Sequence, residues 1–243
     1  MDVAAQTVLV AGATGDTGRE VVSLLDGRVE SVRALTRSAA ATARLRALGA
    51  DEVVVEDLLA PEDLTGALAG VDAVVSAVGS SPAALLSGPP FVDGAGTRAL
   101  VEAAVAAGAE RFVMLSALGV GEASASALGA VFDLFIGPLQ DAKADAERAV
   151  REAPPSHTIL RPGLLTNGAG STPATPTVAE PGAELWGAVA RRDVARLLVA
   201  SLATPAATDR TLEVVSTPAF PGRAADVDWT LPGTDATTEP EEP

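Results

Sequence analysis

The sequence predicts an α/β fold with a doubly wound parallel sheet. Two observations carry that prediction. Short apolar runs alternate with amphipathic stretches from one end of the chain to the other, as in a parallel sheet covered on both faces. The first apolar run, Val8-Leu9-Val10, leads straight into three glycines, Gly12, Gly15 and Gly18, within TVLVAGATGDTG. A buried strand, a glycine-rich turn and a helix form the opening unit of such a sheet.

Taken in order, the strands are expected at Thr7–Val10, Ser31–Leu35, Glu52–Val55, Ala73–Ala77, Arg111–Leu115, Thr158–Leu160 and Thr211–Val215. Helical periodicity falls between them at Gly18–Leu25, Ala41–Leu48, Pro61–Leu68, Gly94–Ala107, Leu139–Arg151 and Arg192–Leu202. Right-handed crossovers between parallel strands then wind helices onto both faces. Three irregular segments, 79–93, 117–138 and 163–189, each follow a strand. They are expected to emerge at the carboxyl edge of the sheet and form a small irregular substrate-side region, since ligands bind at that edge.

The glycine turn has a specific chemistry. A tight turn off the strand uses the positive φ that glycine accepts. A phosphate must approach the backbone where a Cβ would stand, and the free N–H groups of the next helix face it. Thr14, Asp16 and Thr17 supply polar groups there, with Thr17 or Asp16 the candidate cap of a helix starting near Gly18. The turn reads as a dinucleotide site.

Composition narrows the function. The 243 residues are 48% hydrophobic, which suits one large domain, placed at residues 1–223. The stretch from about Ala224 to Pro243 carries six acids and no base and reads as a disordered, solvating tail. No apolar run reaches a membrane span and no leader pattern opens the chain, so a cytoplasmic protein without a membrane partner is expected. Without cysteine, thiolate chemistry and Cys-based metal sites are excluded, and with His157 the lone histidine no metal site is expected. The net charge of −15 repels phosphate backbones, so no nucleic-acid partner is expected. Of the 17 basic residues only Lys143 is lysine. Acid excess with scarce lysine suits a halophilic protein in a salt-rich cytoplasm, where screening removes self-repulsion.

Five motifs then appear in order: GATGDTG, ALTRS after the second strand, ED after the third, RFVMLSALGV at the fifth and TILRPG at the sixth. Together they resemble the atypical short-chain dehydrogenases/reductases, in particular the NmrA-like and NAD(P)H-binding proteins, a group that includes flavin/biliverdin reductase-type enzymes. The resemblance spans roughly Thr7–Val215 and implies a Rossmann fold. NAD sites usually place an acid at the end of the second strand, whereas an arginine suits a 2′-phosphate. Here that position reads Ala34-Leu35-Thr36-Arg37-Ser38. Arg37 can offer a bidentate fork with support from the Ser38 hydroxyl, so NADP(H) is preferred over NAD(H). The resemblance places Asp57 and Leu58 beside the adenine, and Ala77, Val78 and Gly79 along the adenine-side ribose.

The resemblance also implies a Ser, Tyr and Lys centre, with Tyr and Lys four residues apart on one helix face. Ser116 fits the serine and Lys143 the lysine, but Leu139 stands where the tyrosine would be and the chain contains no tyrosine. Tyrosine-based acid catalysis is therefore excluded. Lys143 is expected at the nicotinamide ribose; the alternative is an i,i+4 pair with Glu147. Ser116 either orients a carbonyl or carboxamide or only caps its strand. Arg161-Pro162-Gly163 is expected to hold the carboxamide through backbone groups. His157 reads as a surface or structural residue.

Two functions follow. One is an NADPH-dependent oxidoreductase passing hydride to a flavin, quinone or other planar or apolar acceptor, with solvent supplying the proton. The other is a non-catalytic NADP(H)-binding redox sensor, regulator or assembly factor. The irregular segments carry Leu85, Leu86, Phe91, Phe132, Leu134, Phe135, Ile136 and Trp186, which suit an apolar ligand or a protein partner. Either a monomer or a homodimer is compatible with this.

Overall fold

In the computed structural model, the apolar run after Gln6 forms β1 (Thr7–Ala11), and four of its five residues are buried. The structure describes residues 3–80, 88–121, 127–168, 176–182, 187–217, 222 and 224–233, with the side chains of 127–136 outside that description. After β1 come α1 (Asp16–Leu25), β2 (Ser31–Thr36), α2 (Thr42–Ala47), β3 (Glu52–Val55), α3 (Leu64–Ala67) and β4 (Ala73–Ser76). A π-turn at Val92–Gly96 runs into α4 (Thr97–Ala107) and β5 (Arg111–Leu115). The second half holds α5 (Ala127–Glu152), β6 (Ser156–Pro162), β7 (Leu164–Thr166), β8 (Thr177–Ala179), β9 (Ala188–Ala190), α6 (Arg191–Ala200) and β10 (Arg210–Val215).

Among the described residues eight strands form one sheet in the order β3-β2-β1-β4-β5-β6-β10-β8. Every pairing is parallel except that of β10 with β8. The order reverses between β1 and β4, the switch point of a doubly wound sheet. Side chains leave a strand on alternate faces, so β1 feeds two cores. Val8 and Val10 join Val21, Val22 and Leu25 of α1 with Val194, Ala195 and Leu198 of α6. Leu9 and Ala11 join Leu64, Leu100, Ala104, Ala146 and Val150 from the helices on the other face. Each large aliphatic side chain so buried contributes about 1.5–3 kcal/mol.

The segment 163–189, expected to be irregular, contains three short strands. β7 pairs with β9 in a separate two-stranded ribbon, and β8 closes one edge of the main sheet. The segment 117–138 is also shorter than expected, because α5 begins at Ala127 and continues through Pro138 despite the backbone hydrogen bond a proline forfeits. The acidic stretch from Ala224 departs from the expected solvated tail over its first ten residues. Ala224 bridges to Ala179, and Ala225 N–H donates to Val178 O at 2.7 Å. Val227, Trp229 and Leu231 pack against the core, while residues 234–243 lie outside the described residues. Apolar side chains at every second position outweigh the acids between them. Among the described residues, no helix is long and apolar enough to cross a membrane.

Candidate functional site

The parallel register brings the ends of β1, β2 and β4 side by side, with Ala11 opposite Leu35 on one flank and Ser76 on the other. The turn after β1 therefore opens at the switch point. Gly12 has φ +73°, and a Cβ there would stand 2.6 Å from Ala77 O. A Cβ on Gly18 would stand 2.1 Å from Gly12 O, so helix and turn touch backbone to backbone. Gly15 N–H donates to Gly12 O at 3.0 Å and closes the turn.

The cap differs from the one expected. α1 starts at Asp16, its N-cap is Gly15, and no side chain caps it. Thr17 is buried, and Asp16 pairs with Arg19 instead of with the helix amides. Thr14, Gly15 and Asp16 are exposed. An uncapped first turn with exposed backbone beside it is what a phosphate requires, so these residues fit a dinucleotide's diphosphate. Arg19, missed in the sequence, also donates to Thr14 O at 2.6 Å.

Arg37 follows β2 directly and is exposed, as is Ser38, whose N–H donates to Thr36 Oγ1 at 3.1 Å. Arg37 forms no ion pair among the described residues. Asp57 is exposed after β3, and its Oδ1 accepts from Leu59 N–H at 3.0 Å. Leu58 and Val78 are core residues, at 6% and 7% exposure, and so present a wall rather than free side chains. Ala77 N–H is bonded to Ala11 O at 2.9 Å, and Gly79 is exposed.

The residues expected on the nicotinamide side are held in unforeseen ways. Lys143 does not pair with Glu147. Its Nζ lies 2.6 Å from Asp93 Oδ1, with the two side chains 12% and 1% exposed. Asp93 sits in the π-turn, and its Oδ2 accepts from Ser80 N–H at 2.7 Å. α5 comes close enough at this point that a Cβ on Gly94 would stand 2.9 Å from the Ala142 Cβ.

Glu147, one turn after Lys143, is fully buried and collects four hydrogen bonds. Ser116 Oγ–H donates to Oε1 at 2.6 Å, Arg161 Nε and Nη2 donate at 2.9 and 2.7 Å, and Arg151 Nη1 donates at 2.9 Å. Burial pushes its carboxyl pKa upward, but the bonds from Arg161 and Ser116, the Arg161 charge and the Arg151 bond outweigh that and hold it below the ordinary value. Glu147 is thus a carboxylate, and Ser116 spends its proton on it. Neither residue offers a proton to a substrate in this arrangement.

Around Pro162 the backbone is also engaged. Gly163 N–H donates to Val214 O at 2.9 Å and Pro162 O accepts from Leu118 N–H at 2.8 Å. Gly163 N–H is therefore not free to hold a carboxamide as expected; the strand ladder uses it. His157 lies near the start of β6, at the far edge of the sheet, with Nδ1 3.3 Å from Asp209 Oδ1. Burial lowers its pKa, with Asp209 opposing and Arg111 and Arg151 adding to the effect. Of the expected apolar lining, Leu85, Leu86 and Trp186 lie outside the described residues, as do the side chains of Phe132, Leu134, Phe135 and Ile136. Phe91 is buried.

The family model described as NAD(P)H-binding matches residues 12–205, from the first glycine of the turn to beyond α6. The chain belongs to this NAD(P)H-binding family. That agrees with the resemblance to atypical, NmrA-like short-chain dehydrogenases/reductases. A Bacillus subtilis relative, YhfK, described as an uncharacterized sugar epimerase, is 33% identical over 80% of this chain and 87% of its own length. The ceramide reductase of Caulobacter vibrioides is 35% identical over 65% of this chain, which covers 46% of that protein. A solved Bacillus halodurans structure with the provisional description NAD-dependent epimerase/dehydratase superposes with a TM-score of 0.76. It shares 27% identity over 88% of this chain and 95% of its own.

Proposed function

We propose that this NAD(P)H-binding protein is an NADP(H)-dependent oxidoreductase acting on a planar or apolar acceptor that needs no proton from the enzyme. The observation behind the cofactor preference is Arg37, an exposed guanidinium one residue past β2 with no acid beside it at the strand end. A planar, charged fork suits a 2′-phosphate better than a bare ribose hydroxyl, which offers it one neutral acceptor. Gly12, Gly15 and the uncapped amides from Asp16 to Gly18 would hold the diphosphate. Lys143, oriented by Asp93, would hold the ribose on the nicotinamide side.

When bound, the reduced cofactor supplies a hydride. The chain would position that group, but it contributes no acid where the family's tyrosine would stand, since Leu139 occupies the position. Ser116 donates to Glu147 and therefore presents only its lone pairs to a ligand. An acceptor such as a flavin or quinone takes its proton from water, which suits this arrangement. The same tie between Ser116 and Glu147 favours a second reading, a non-catalytic NADP(H)-binding regulator or assembly factor.

Titration of the purified protein with NADPH and NADH, followed by NADPH oxidation against a panel of flavins and quinones, tests both readings. NADPH is expected to bind more tightly. Arg37→Asp is expected to weaken NADPH about tenfold or more, the loss of a charge-assisted pair, while leaving NADH within about twofold. Equal losses for both cofactors refute the role of Arg37. Tight NADPH binding with no turnover on any acceptor refutes the oxidoreductase in favour of the regulator.

A further inference from the structure

Arg191, the first residue of α6, stands between the segment that follows β6 and the start of α1. Its Nη1 donates to Leu165 O at 3.1 Å and to Asn167 Oδ1 at 2.6 Å, both on the segment that leaves β6 toward the substrate side. Its Nε stands 4.0 Å from Asp16 Oδ2, at the first residue of α1. Asp16 also pairs with Arg19. At the rim of the glycine turn the Asp16 carboxylate is thus shared by two guanidinium groups. The long reach from Arg191 to Asp16 contrasts with its short bond to Asn167. An exposed contact of that length holds little, so the arginine is anchored on the substrate-side segment and only leans toward the turn.

α1 and α6 share one core, through Val21, Val22 and Leu25 on one helix and Val194, Ala195 and Leu198 on the other. The backbone of Arg191 is therefore fixed relative to the turn, and its side chain is the adjustable part.

We propose that Arg191 is a positioning residue that couples the filled cofactor site to the substrate-side segment 164–168. The inference rests on the reading of the glycine turn as the diphosphate site. A diphosphate at the uncapped start of α1 lies beside Asp16 and adds negative charge where Arg191 already points. The guanidinium is then drawn into a stronger, charge-assisted contact. Because the same guanidinium stays bonded to Leu165 and Asn167, that contact ties the end of β7 to the filled turn and restrains its motion. The substrate wall is thereby completed only once the dinucleotide is in place, an ordering that suits a hydride donor binding first.

Hydrogen exchange on the full-length protein, with and without NADPH, tests this alongside NADPH titration. In the wild type, NADPH is expected to slow exchange of the amides in 164–168. Arg191→Ala is expected to bind NADPH roughly fivefold to tenfold more weakly, the cost of one charge-assisted contact, and to lose that protection. Arg191→Lys keeps the charge but not the fork. It is expected to retain most of the affinity and still lose the protection, a split that a purely structural role would not produce. Arg192→Ala removes the neighbouring exposed arginine and should behave as wild type. Wild-type affinity and protection in both Arg191 variants overturn the coupling. A wild-type protein that binds neither NADPH nor NADH overturns the site reading and the coupling together, and the missing binding signal tells that failure apart from the first.

Discussion

Replacing Glu147 with glutamine should destabilise the protein far more than a change of one atom suggests. The carboxylate is fully buried and is the counter-charge of Arg161, whose side chain is only 8% exposed. Glutamine keeps the volume but removes the charge, and it turns an amide N–H toward guanidinium donors. Taking one partner from a buried pair leaves the other uncompensated, at a cost of about 3–5 kcal/mol. For a domain of this size each kcal/mol moves the melting point by about 2–4 °C, so a fall of roughly 10 °C is expected. Urea unfolding at pH 7 measures the difference, and repeating it in acid checks the cause. The carboxyl pKa in the folded protein is depressed below its usual 4.5. Its contribution is therefore complete above the unfolded-state value and is lost as pH falls through that value toward the folded one. Wild type and Glu147→Gln should therefore draw together as pH falls below the ordinary carboxyl value of 4.5. A gap under about 1 kcal/mol at pH 7, or one that does not narrow in acid, refutes the account of a buried, ionised hub. The double variant Glu147→Leu with Arg161→Met should lose less than the single change, because no charge is stranded.

Two further outcomes follow from the site. Gly12→Ala forces a side chain into a φ of +73° and within 2.6 Å of Ala77 O. It should lower the melting point by several degrees and the dinucleotide affinity by about tenfold or more, and unchanged titration curves would show that the turn does not approach the ligand. Lys143→Met strands Asp93, whose side chain is 1% exposed, and should cost about 3 kcal/mol in urea unfolding. Adding Asp93→Asn should restore part of the loss, and strictly additive effects in that cycle would mean that the two residues do not act as a pair.

The parts of the fold legible in the sequence were those whose signal is local. The seven strands expected from apolar, β-branched runs correspond to β1 to β6 and β10; most of these runs are buried on both faces, and edge strand β3 was still legible from its three consecutive valines. β7, β8 and β9 escaped notice. Each is three residues long, too short to show a period, and each exists through a partner far along the chain, as Val178 does through Val214. Pro138 read as the limit of a helix that in fact passes through it. The glycine turn was legible because its chemistry is written in consecutive residues. The hub around Glu147 was not, since its partners Ser116 and Arg161 lie 31 and 14 residues away. Lys143 was singled out but given the wrong alternative partner, because helical spacing offers Glu147 and only the packing of α5 on the π-turn brings in Asp93. The period-two pattern of Val227, Trp229 and Leu231 was a readable signal that the acids around it obscured.

The strip from Ala225 to Gly233 also fixes where the molecule can be handled. Thr230 N–H donates to Thr204 Oγ1 at 3.0 Å, and Arg28 Nη1 reaches Pro232 O at 3.2 Å. Together with Val3 and Gln6, residues 230–233 border a cleft of about 410 Å³ where the sheet strands begin. Both ends of the described chain therefore surface at one pole, and the glycine turn opens at the other, roughly 17 Å away along β1. A label placed at Val3 or Gly233 therefore starts from the pole opposite the glycine turn. Trimming at Ala224 to remove the acids would strip Trp229 from its seat and expose the core it covers.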